Sequence, residues 1–86
     1  MADFLHSTYP RLRATAACAL RNIGTLESVV PLTGVLNDPD SQVRLYAVSG
    51  LCFFTEACKG QKVYDYMRPE NRAAFLALLR KANLLQ

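Results

Sequence analysis

The residue types that most often carry enzyme chemistry are few in this chain and lie far apart. His6 is the only histidine, and no serine, cysteine or carboxylate stands at a spacing that would place it beside His6 on one element. Nucleophilic catalysis needs a nucleophile and a base within hydrogen-bond reach of each other. The pattern therefore favours a solvated histidine, and we expect a protein that is not an enzyme.

The three cysteines, Cys18, Cys52 and Cys58, match no metal-binding spacing. Cys52 and Cys58 are six residues apart, on roughly opposite faces of one predicted helix, so we expect them not to share a ligand. Free cysteine is among the most buried residue types, which predicts a core position for Cys18. An odd count at these spacings argues against a disulfide framework. The glycines are isolated and form no phosphate-binding loop, so we expect no metal and no cofactor.

The strongest pattern in the chain is an internal repeat. Residues 12–20 read LRATAACAL and residues 43–51 read VRLYAVSGL, so that Arg44 follows Arg13 by 31 residues. A helical sequence with a period of about 30 to 45 residues indicates a solenoid, because each unit buries its apolar face only by stacking on the next unit.

Prolines, glycines and capping residues predict where the two repeated helices begin and end. Pro10 suits the first position of the first helix, and Gly24 supplies a left-handed stop. Asp40 is the best N-cap in the chain and opens a helix from Ser41 to about Cys58. The apolar stripes that we expect to be buried occupy the same repeat positions in both helices: Leu12, Ala16, Ala19, Leu20 and Ile23, then Val43, Ala47, Gly50, Leu51 and Phe54. The small residues Ala19 and Gly50 would let a neighbouring helix approach closely.

Shorter helices are predicted between and after these two. A helix from Thr25 to about Leu36 either begins properly at Ser28 or kinks at Pro31. Its buried stripe is Val29, Leu32 and Leu36. Beyond Gly60 we expect one or two helical turns around Tyr64, and then a last helix that starts at Pro69. The buried stripe of this last helix is Phe75, Leu78, Leu79 and Ala82, and no strand is predicted.

The string NDPDSQVRLYAVSGL at residues 37–51, with its second copy upstream, resembles HEAT-repeat proteins and is most similar to the short bacterial-type repeats of the phycobilin-lyase-like class. The resemblance implies an all-α, HEAT-like α-α solenoid: a right-handed superhelix of helical hairpins within one domain, residues 1–86. About two repeats would occupy residues 9–58, and residues 59–86, which lack another Asp-Pro turn, would form a C-terminal cap. The resemblance also implies structural contacts between repeats from Arg13, Asp38, Asp40 and Arg44.

The aromatic residues outside the shared stripe are candidates for binding a partner. Tyr46 aligns with Thr15 and Phe53 with Asn22 under the 31-residue offset, and Tyr64 and Tyr66 follow in the C-terminal segment. Two interpretations stand: Tyr46 and Phe53 pack against that segment, or these aromatics anchor a protein partner, since aromatic residues and Arg dominate interface hot spots. We expect a non-enzymatic interaction or scaffold module with an unidentified protein partner, because solenoids present extended surfaces suited to recognition.

The net charge of +3 raises a less favoured alternative, a module that grips nucleic-acid backbones. Its basic residues would be Arg11, Arg13, Arg21, Lys59, Lys62, Arg68 and Arg72. A remote alternative, chromophore binding of the phycobilin-lyase type, rests on the resemblance alone. The longest apolar run is far too short for a membrane span and no secretory signal opens the chain, so we expect a cytoplasmic protein.

Self-association is also expected at high concentration. Residues 1–8 read as a frayed lead-in that offers little cover for the first helix. An apolar surface near Phe4, Leu5, Ala14 and Ala17 would then be left open, and such a surface invites either an upstream repeat or a second copy of the chain. The competing possibility is that residues 1–8 fold back and leave a monomer.

Overall fold

The computed structural model describes residues 5–54 and 62–84, and every regular element in these ranges is helical, as predicted. Its α-helices are α1 (Pro10–Ile23), α2 (Val29–Thr33), α3 (Ser41–Cys52), α4 (Lys62–Tyr66) and α5 (Arg72–Lys81). Short 3-10 helices, Leu26–Ser28 and Pro69–Asn71, lead into α2 and α5.

The predicted start and end of α1 and the predicted start of α3 are confirmed. Pro10 is the first residue of α1, and Gly24 adopts a left-handed φ of 66° while its N–H donates to the carbonyl of Leu20. At the start of α3, the Asp40 side chain accepts hydrogen bonds from the backbone N–H groups of Gln42 and Val43. These groups have no partner within the helix, so the aspartate satisfies two of them.

Two predicted helices are shorter than expected. The third helix ends at Cys52, because the N–H groups of Phe53 and Phe54 bond back three residues and tighten the last turn. The remainder of its predicted span, with Gly60, lies outside the described residues. The second helix is divided into a 3-10 turn and the five-residue α2, which places Pro31 in the first turn of α2, where a missing N–H costs no hydrogen bond.

The helices α1 and α3 lie side by side and run in the same direction. A Cβ placed on Gly50 would lie 3.3 Å from the Cα of Arg21 and 2.8 Å from Cδ1 of Leu32, so α1 and α2 both crowd this point of α3. The expected close approach at Gly50 is therefore confirmed. Leu51 is fully buried and Leu20 is 8% exposed, as predicted for these equivalent positions.

The predicted stripe of α1 is wrong at both ends. Leu12 is 40% exposed and Ile23 is 56% exposed. Of their repeat equivalents, Val43 in α3 is fully buried, and Phe54, two residues after α3, packs against the core. The side of α3 that carries Val43 and Gly50 is covered by α1 and α2. No described helix covers the matching side of α1, so the same pattern gives a buried face in one helix and an open edge in the other.

The residues predicted to form an open apolar surface at the N-terminal edge do not form one. Leu5, Ala14 and Ala17 are all buried within the single chain, and Phe4 lies outside the described residues. The lead-in folds back so that Leu5 joins the core, and it is held there by the Arg13 guanidinium, which donates to the carbonyl of Ser7 at 2.8 Å.

The C-terminal part adds α5 to this core. Phe75 and Leu79 are fully buried, as predicted, whereas Leu78 is half-buried and Ala82 is exposed. The ring of Tyr66 in α4 stacks on Phe75 at 5.0 Å between centroids. These contacts make α4 and α5 part of the same packed unit.

The cysteines differ from expectation. Cys52 is disulfide-bonded, and its partner lies outside the described residues. The prediction of no disulfide, which was drawn from the odd number of cysteines and their spacings, is therefore wrong for Cys52. Cys18 carries a free thiol and is half-buried, because its side of α1 faces a groove and not the core.

Candidate functional site

The outward sides of α1 and α3 form two matched rows of side chains, which we call the α1–α3 face. In each helix the row follows the helical spacing i, i+4, i+7 and i+11, and each member on the α3 side stands 31 residues after its counterpart. All eight residues are exposed or half-buried: Arg11, Thr15, Cys18 and Asn22 in the α1 row, and Gln42, Tyr46, Ser49 and Phe53 in the α3 row. The repeat therefore builds one continuous surface from equivalent positions.

A solvent-open groove of about 850 Å³ runs along the whole α1 row and is bordered by the N-terminal half of the α3 row. Small side chains, Ala14 and Ala19, leave the space, and larger ones border it. The groove is lined by Pro10, Arg11, Ala14, Thr15, Cys18, Ala19, Asn22, Asp40, Gln42 and Tyr46.

Tyr46 is the aromatic wall of this groove and is held in place from the side of α1. The guanidinium carbon of Arg21 lies 5.0 Å from the centre of the Tyr46 ring, which is the geometry of a cation–π contact. Tyr46 is half-buried and also packs against the core. A ring fixed in this way loses little conformational freedom when a ligand covers it.

The charged groups at the groove differ in whether they already form hydrogen bonds or ion pairs within the chain. Asp40 caps α3, and its Oδ1 accepts from two backbone N–H groups at 2.9 and 3.2 Å. Arg11 is exposed, and within the described part of the chain its guanidinium forms no ion pair. The groove therefore presents a cation that is available to a ligand and a carboxylate that is largely satisfied.

The loop before α3 is tied to α1 by a bidentate ion pair. Nε and Nη2 of Arg13 donate to the two carboxylate oxygens of Asp38 at 2.8 and 3.1 Å, and the two side chains are only 13% and 7% exposed. Oδ1 of Asp38 also accepts the backbone N–H of Asp40 at 2.9 Å. Arg44 reaches back from α3 and donates to the carbonyl of Asp38 at 2.7 Å. The four residues predicted to make structural contacts thus meet at one point and fix the N-terminal ends of α1 and α3.

The four candidate partner-binding aromatics are not brought together. Tyr46 and Phe53 belong to the α1–α3 face. Phe53 is 66% exposed and lies beside Gly24, where a Cβ would be 3.6 Å from the ring. Tyr64 is 58% exposed on α4, and Tyr66 contributes its ring to the contact with Phe75. The ring of Tyr46 contacts Arg21 of α1, and the ring of Phe53 contacts Phe54.

Several of the basic residues considered for nucleic-acid binding are engaged inside the chain. Arg13 pairs with Asp38, Arg21 lies over Tyr46, and Arg72 donates to the carbonyl of Leu36 at 3.4 Å. Arg11 and Arg68 remain exposed. The side chains of Lys59 and Lys62 lie outside what the structure describes.

Sequence reasoning found Tyr46 and Phe53 but missed most of the groove, notably Arg11, Cys18 and Asn22. The signal was present, because extending the 31-residue alignment to every outward position pairs Arg11 with Gln42 and Cys18 with Ser49. Within the described ranges no group of three metal-ligating side chains comes together, and no helix has the length and hydropathy to cross a bilayer.

Comparison of the chain with protein-family models, with curated proteins and with solved structures gave no match in any of the three.

Proposed function

We propose that this protein is a non-enzymatic interaction module of the HEAT-repeat type, and that it binds a segment of a protein partner in the groove between α1 and α3. The observation that carries the proposal is the pair of matched rows, which turns the 31-residue repeat into one continuous groove bordered by the fixed ring of Tyr46.

Support for the repeat architecture comes from the parallel pair α1 and α3 and from the loop between α2 and α3. Helices with equivalent sequences pack side by side in the same direction, with close contact at Gly50. The Arg13–Asp38 pair joins the first of these helices to the turn that precedes the second. A solenoid needs this kind of contact between neighbouring units, because each unit is stabilised mainly by the next one.

The chemistry of the groove indicates the kind of segment that it binds. Ala14 and Ala19 provide an apolar floor and Tyr46 an apolar wall, which suit an aliphatic side chain. The exposed guanidinium of Arg11 suits a carboxylate, which it can bind through two parallel hydrogen bonds. The chain as a whole carries a net charge of +3, which favours encounter with an acidic partner. We therefore propose a peptide segment in which an acidic residue neighbours an aliphatic one.

A displayed library of random peptides, selected against the 86-residue chain, tests this proposal. We expect selected peptides to combine Asp or Glu with an aliphatic residue. Their binding to Tyr46→Ala and to Arg11→Glu should be at least about tenfold weaker than to the parent chain, since loss of a single hot-spot contact costs about 2 kcal/mol or more. Tyr64→Ala is the control, because it removes a tyrosine that does not line the groove and should leave binding unchanged.

Peptides that bind Tyr46→Ala and Arg11→Glu as tightly as the parent would exclude the groove as the binding site. The same chain titrated with duplex DNA at low salt tests the alternative. A salt-dependent affinity that is lost in Arg11→Glu and Arg68→Glu would favour nucleic-acid binding over the present proposal.

A further inference from the structure

The short loops before α1 and α3 have the same local structure. In each loop a side-chain oxygen accepts the backbone N–H two residues later: Oγ of Ser7 from Tyr9 at 3.1 Å, and Oδ1 of Asp38 from Asp40 at 2.9 Å. Tyr9 and Asp40 then precede their helices with similar backbone angles, φ −93° and ψ 116° in one and φ −83° and ψ 128° in the other. Because Asp38 follows Ser7 by 31 residues, the repeat extends into these loops.

The arginines of the two helices contact these loops in the same way. Nη1 of Arg13 donates to the carbonyl of Ser7 at 2.8 Å, and Nη1 of Arg44 donates to the carbonyl of Asp38 at 2.7 Å. The other edge of the Arg13 guanidinium, formed by Nε and Nη2, binds both carboxylate oxygens of Asp38. An arginine at this repeat position therefore uses one edge for its own loop and the other for a carboxylate of the next unit.

The second edge of Arg44 is open. Within the described residues, Nε and Nη2 of Arg44 donate no hydrogen bond, although the side chain is half-buried. The residue 31 positions after Asp38 is Pro69, whose side chain has no oxygen that could accept a hydrogen bond. The helix α5 begins at Arg72, which is 31 residues after Ser41, where α3 begins. The spacing of the repeat thus continues along the sequence, but the carboxylate is missing.

A second guanidinium group lies beside the same loop. Arg72 donates to the carbonyl of Leu36 at 3.4 Å, and Arg44 donates to the carbonyl of Asp38, two residues further along the chain. The Cα atoms of residues with this spacing are at most about 7 Å apart. Both acceptors are neutral carbonyl groups, so these contacts leave the two positive charges uncompensated.

The carboxylates that lie near these arginines in the sequence do not pair with them. Both oxygens of Asp38 are bound by Arg13, and Oδ1 of Asp40 accepts the first backbone N–H groups of α3. Glu70, two residues before Arg72, is exposed and forms no ion pair in the part of the chain that the structure describes. Two positive charges near one loop favour the approach of an anion from another molecule.

We propose that Arg44 and Arg72 form a binding site for an aspartate carboxylate of a partner protein, which Arg44 binds through Nε and Nη2. The contact between Arg13 and Asp38 supplies the geometry, two parallel hydrogen bonds of 2.8 and 3.1 Å. The ligand is an aspartate in an Asp-Pro turn, because that is the group that binds the equivalent edge of Arg13. Neither Arg44 nor Arg72 lines the groove between α1 and α3, so this site does not depend on the proposed function.

A titration followed by NMR of the arginine Nε–H groups tests this site in the 86-residue chain. The probe is the capped peptide Asn-Asp-Pro-Asp-Ser, which has the sequence of residues 37–41. We expect a saturable shift of the Arg44 Nε–H signal. The Arg13 Nε–H signal should not move, because Asp38 already occupies that group. The peptide Asn-Asn-Pro-Asn-Ser is the uncharged control and should shift neither signal.

Two variants assign the binding to each arginine, with the backbone N–H signals of residues 36–40 as the measure of affinity. Arg44→Lys keeps the charge but cannot form two parallel hydrogen bonds, so it should weaken binding at least about fivefold. Arg72→Gln leaves Arg44 in place and removes one charge, which should weaken binding at least about twofold. Arg80→Gln is the matched control, because it removes the same charge from an exposed position eight residues further along α5 and should bind like the parent.

Three results would overturn the site. The first is equal affinity of the parent and Arg44→Lys, and the second is an equal shift with the uncharged peptide. The third is a shift of the Arg11 Nε–H signal while that of Arg44 stays unmoved. This last result would place the carboxylate in the groove between α1 and α3, and it would leave the proposed function intact.

Discussion

The bidentate contact between Arg13 and Asp38 gives the sharpest test of how the two repeated helices are joined. We expect Asp38→Ala to destabilise the chain because it removes three accepted hydrogen bonds at once: two from the Arg13 guanidinium and one from the backbone N–H of Asp40. Arg13 would retain only its bond to the carbonyl of Ser7.

The magnitude follows from the burial of the pair. Removing one partner of a buried ion pair costs about 3 to 5 kcal/mol, because the other charge is left without compensation. The two side chains are 13% and 7% exposed, so water reaches Arg13 to a small extent. We therefore expect a loss of about 2 to 3 kcal/mol in the free energy of unfolding, a large share of the roughly 5 to 15 kcal/mol typical of a domain.

Urea denaturation followed by far-UV circular dichroism measures this loss. With a slope of about 1 to 3 kcal/mol per molar urea, the midpoint should fall by on the order of 1 M or more. Asp38→Asn is the conservative control, because its amide oxygen can still accept from Asp40 and from one N–H of Arg13. Its cost should be nearer about 1 kcal/mol.

A double-mutant cycle isolates the contact from the other effects of each substitution. Arg13→Met keeps the apolar stem of the side chain and removes the guanidinium. If the pair joins α1 to the loop before α3, the coupling energy between Arg13→Met and Asp38→Ala should exceed about 1 kcal/mol. A coupling below about 0.5 kcal/mol would refute the reasoning and reduce the pair to an ordinary surface salt bridge.

Three further stability predictions can be checked by the same denaturation assay. Asp40→Ala removes the cap of α3 and should cost about 0.5 to 2 kcal/mol, whereas an unchanged midpoint would contradict the cap's role. Leu51→Ala empties a fully buried position and should cost roughly 2 to 5 kcal/mol; a cost under about 1 kcal/mol would contradict its place in the core. Gly50→Ala should also destabilise, by about 1 to 3 kcal/mol, because the new Cβ would lie 2.8 Å from Cδ1 of Leu32. Gly34→Ala is its control, since the nearest contact there is an ordinary 3.4 Å and the change should be neutral or stabilising.

Local signals predicted the helix starts well because each depends on a few neighbouring residues. Pro10 and Gly24 bound α1, and Asp40 caps α3, through backbone hydrogen bonds that the sequence specifies directly. The end of α3 could not be predicted in this way. Its apolar residues continue past Cys52, but the chain tightens at Phe53 and Phe54, where neither glycine nor proline marks a stop.

Burial depends on neighbours that lie far away in the sequence, and this explains where the prediction of the core failed. Leu12 and Val43 occupy equivalent positions with equivalent helical patterns, yet one is 40% exposed and the other fully buried. The pattern identifies a side chain's position around its own helix, and it carries no information about whether another helix is present on that side.

The candidate groove was missed for a related reason. Thr15, Asn22 and Gln42 are ordinary polar residues when each is considered alone, and they form a surface only when α1 and α3 are placed side by side.

The proposed binding groove follows from the repetition of equivalent helices. On the outward side, α1 and α3 are both uncovered. Equivalent rows of side chains from the two helices therefore lie next to each other, and together they border a groove that a single helix could not form. On the opposite flank, α3 is covered by α1 while α1 has no described helix against it, so one set of apolar positions is left exposed. The groove is therefore the surface to which both repeated helices contribute equivalent positions, and it is there that we expect a partner segment to bind.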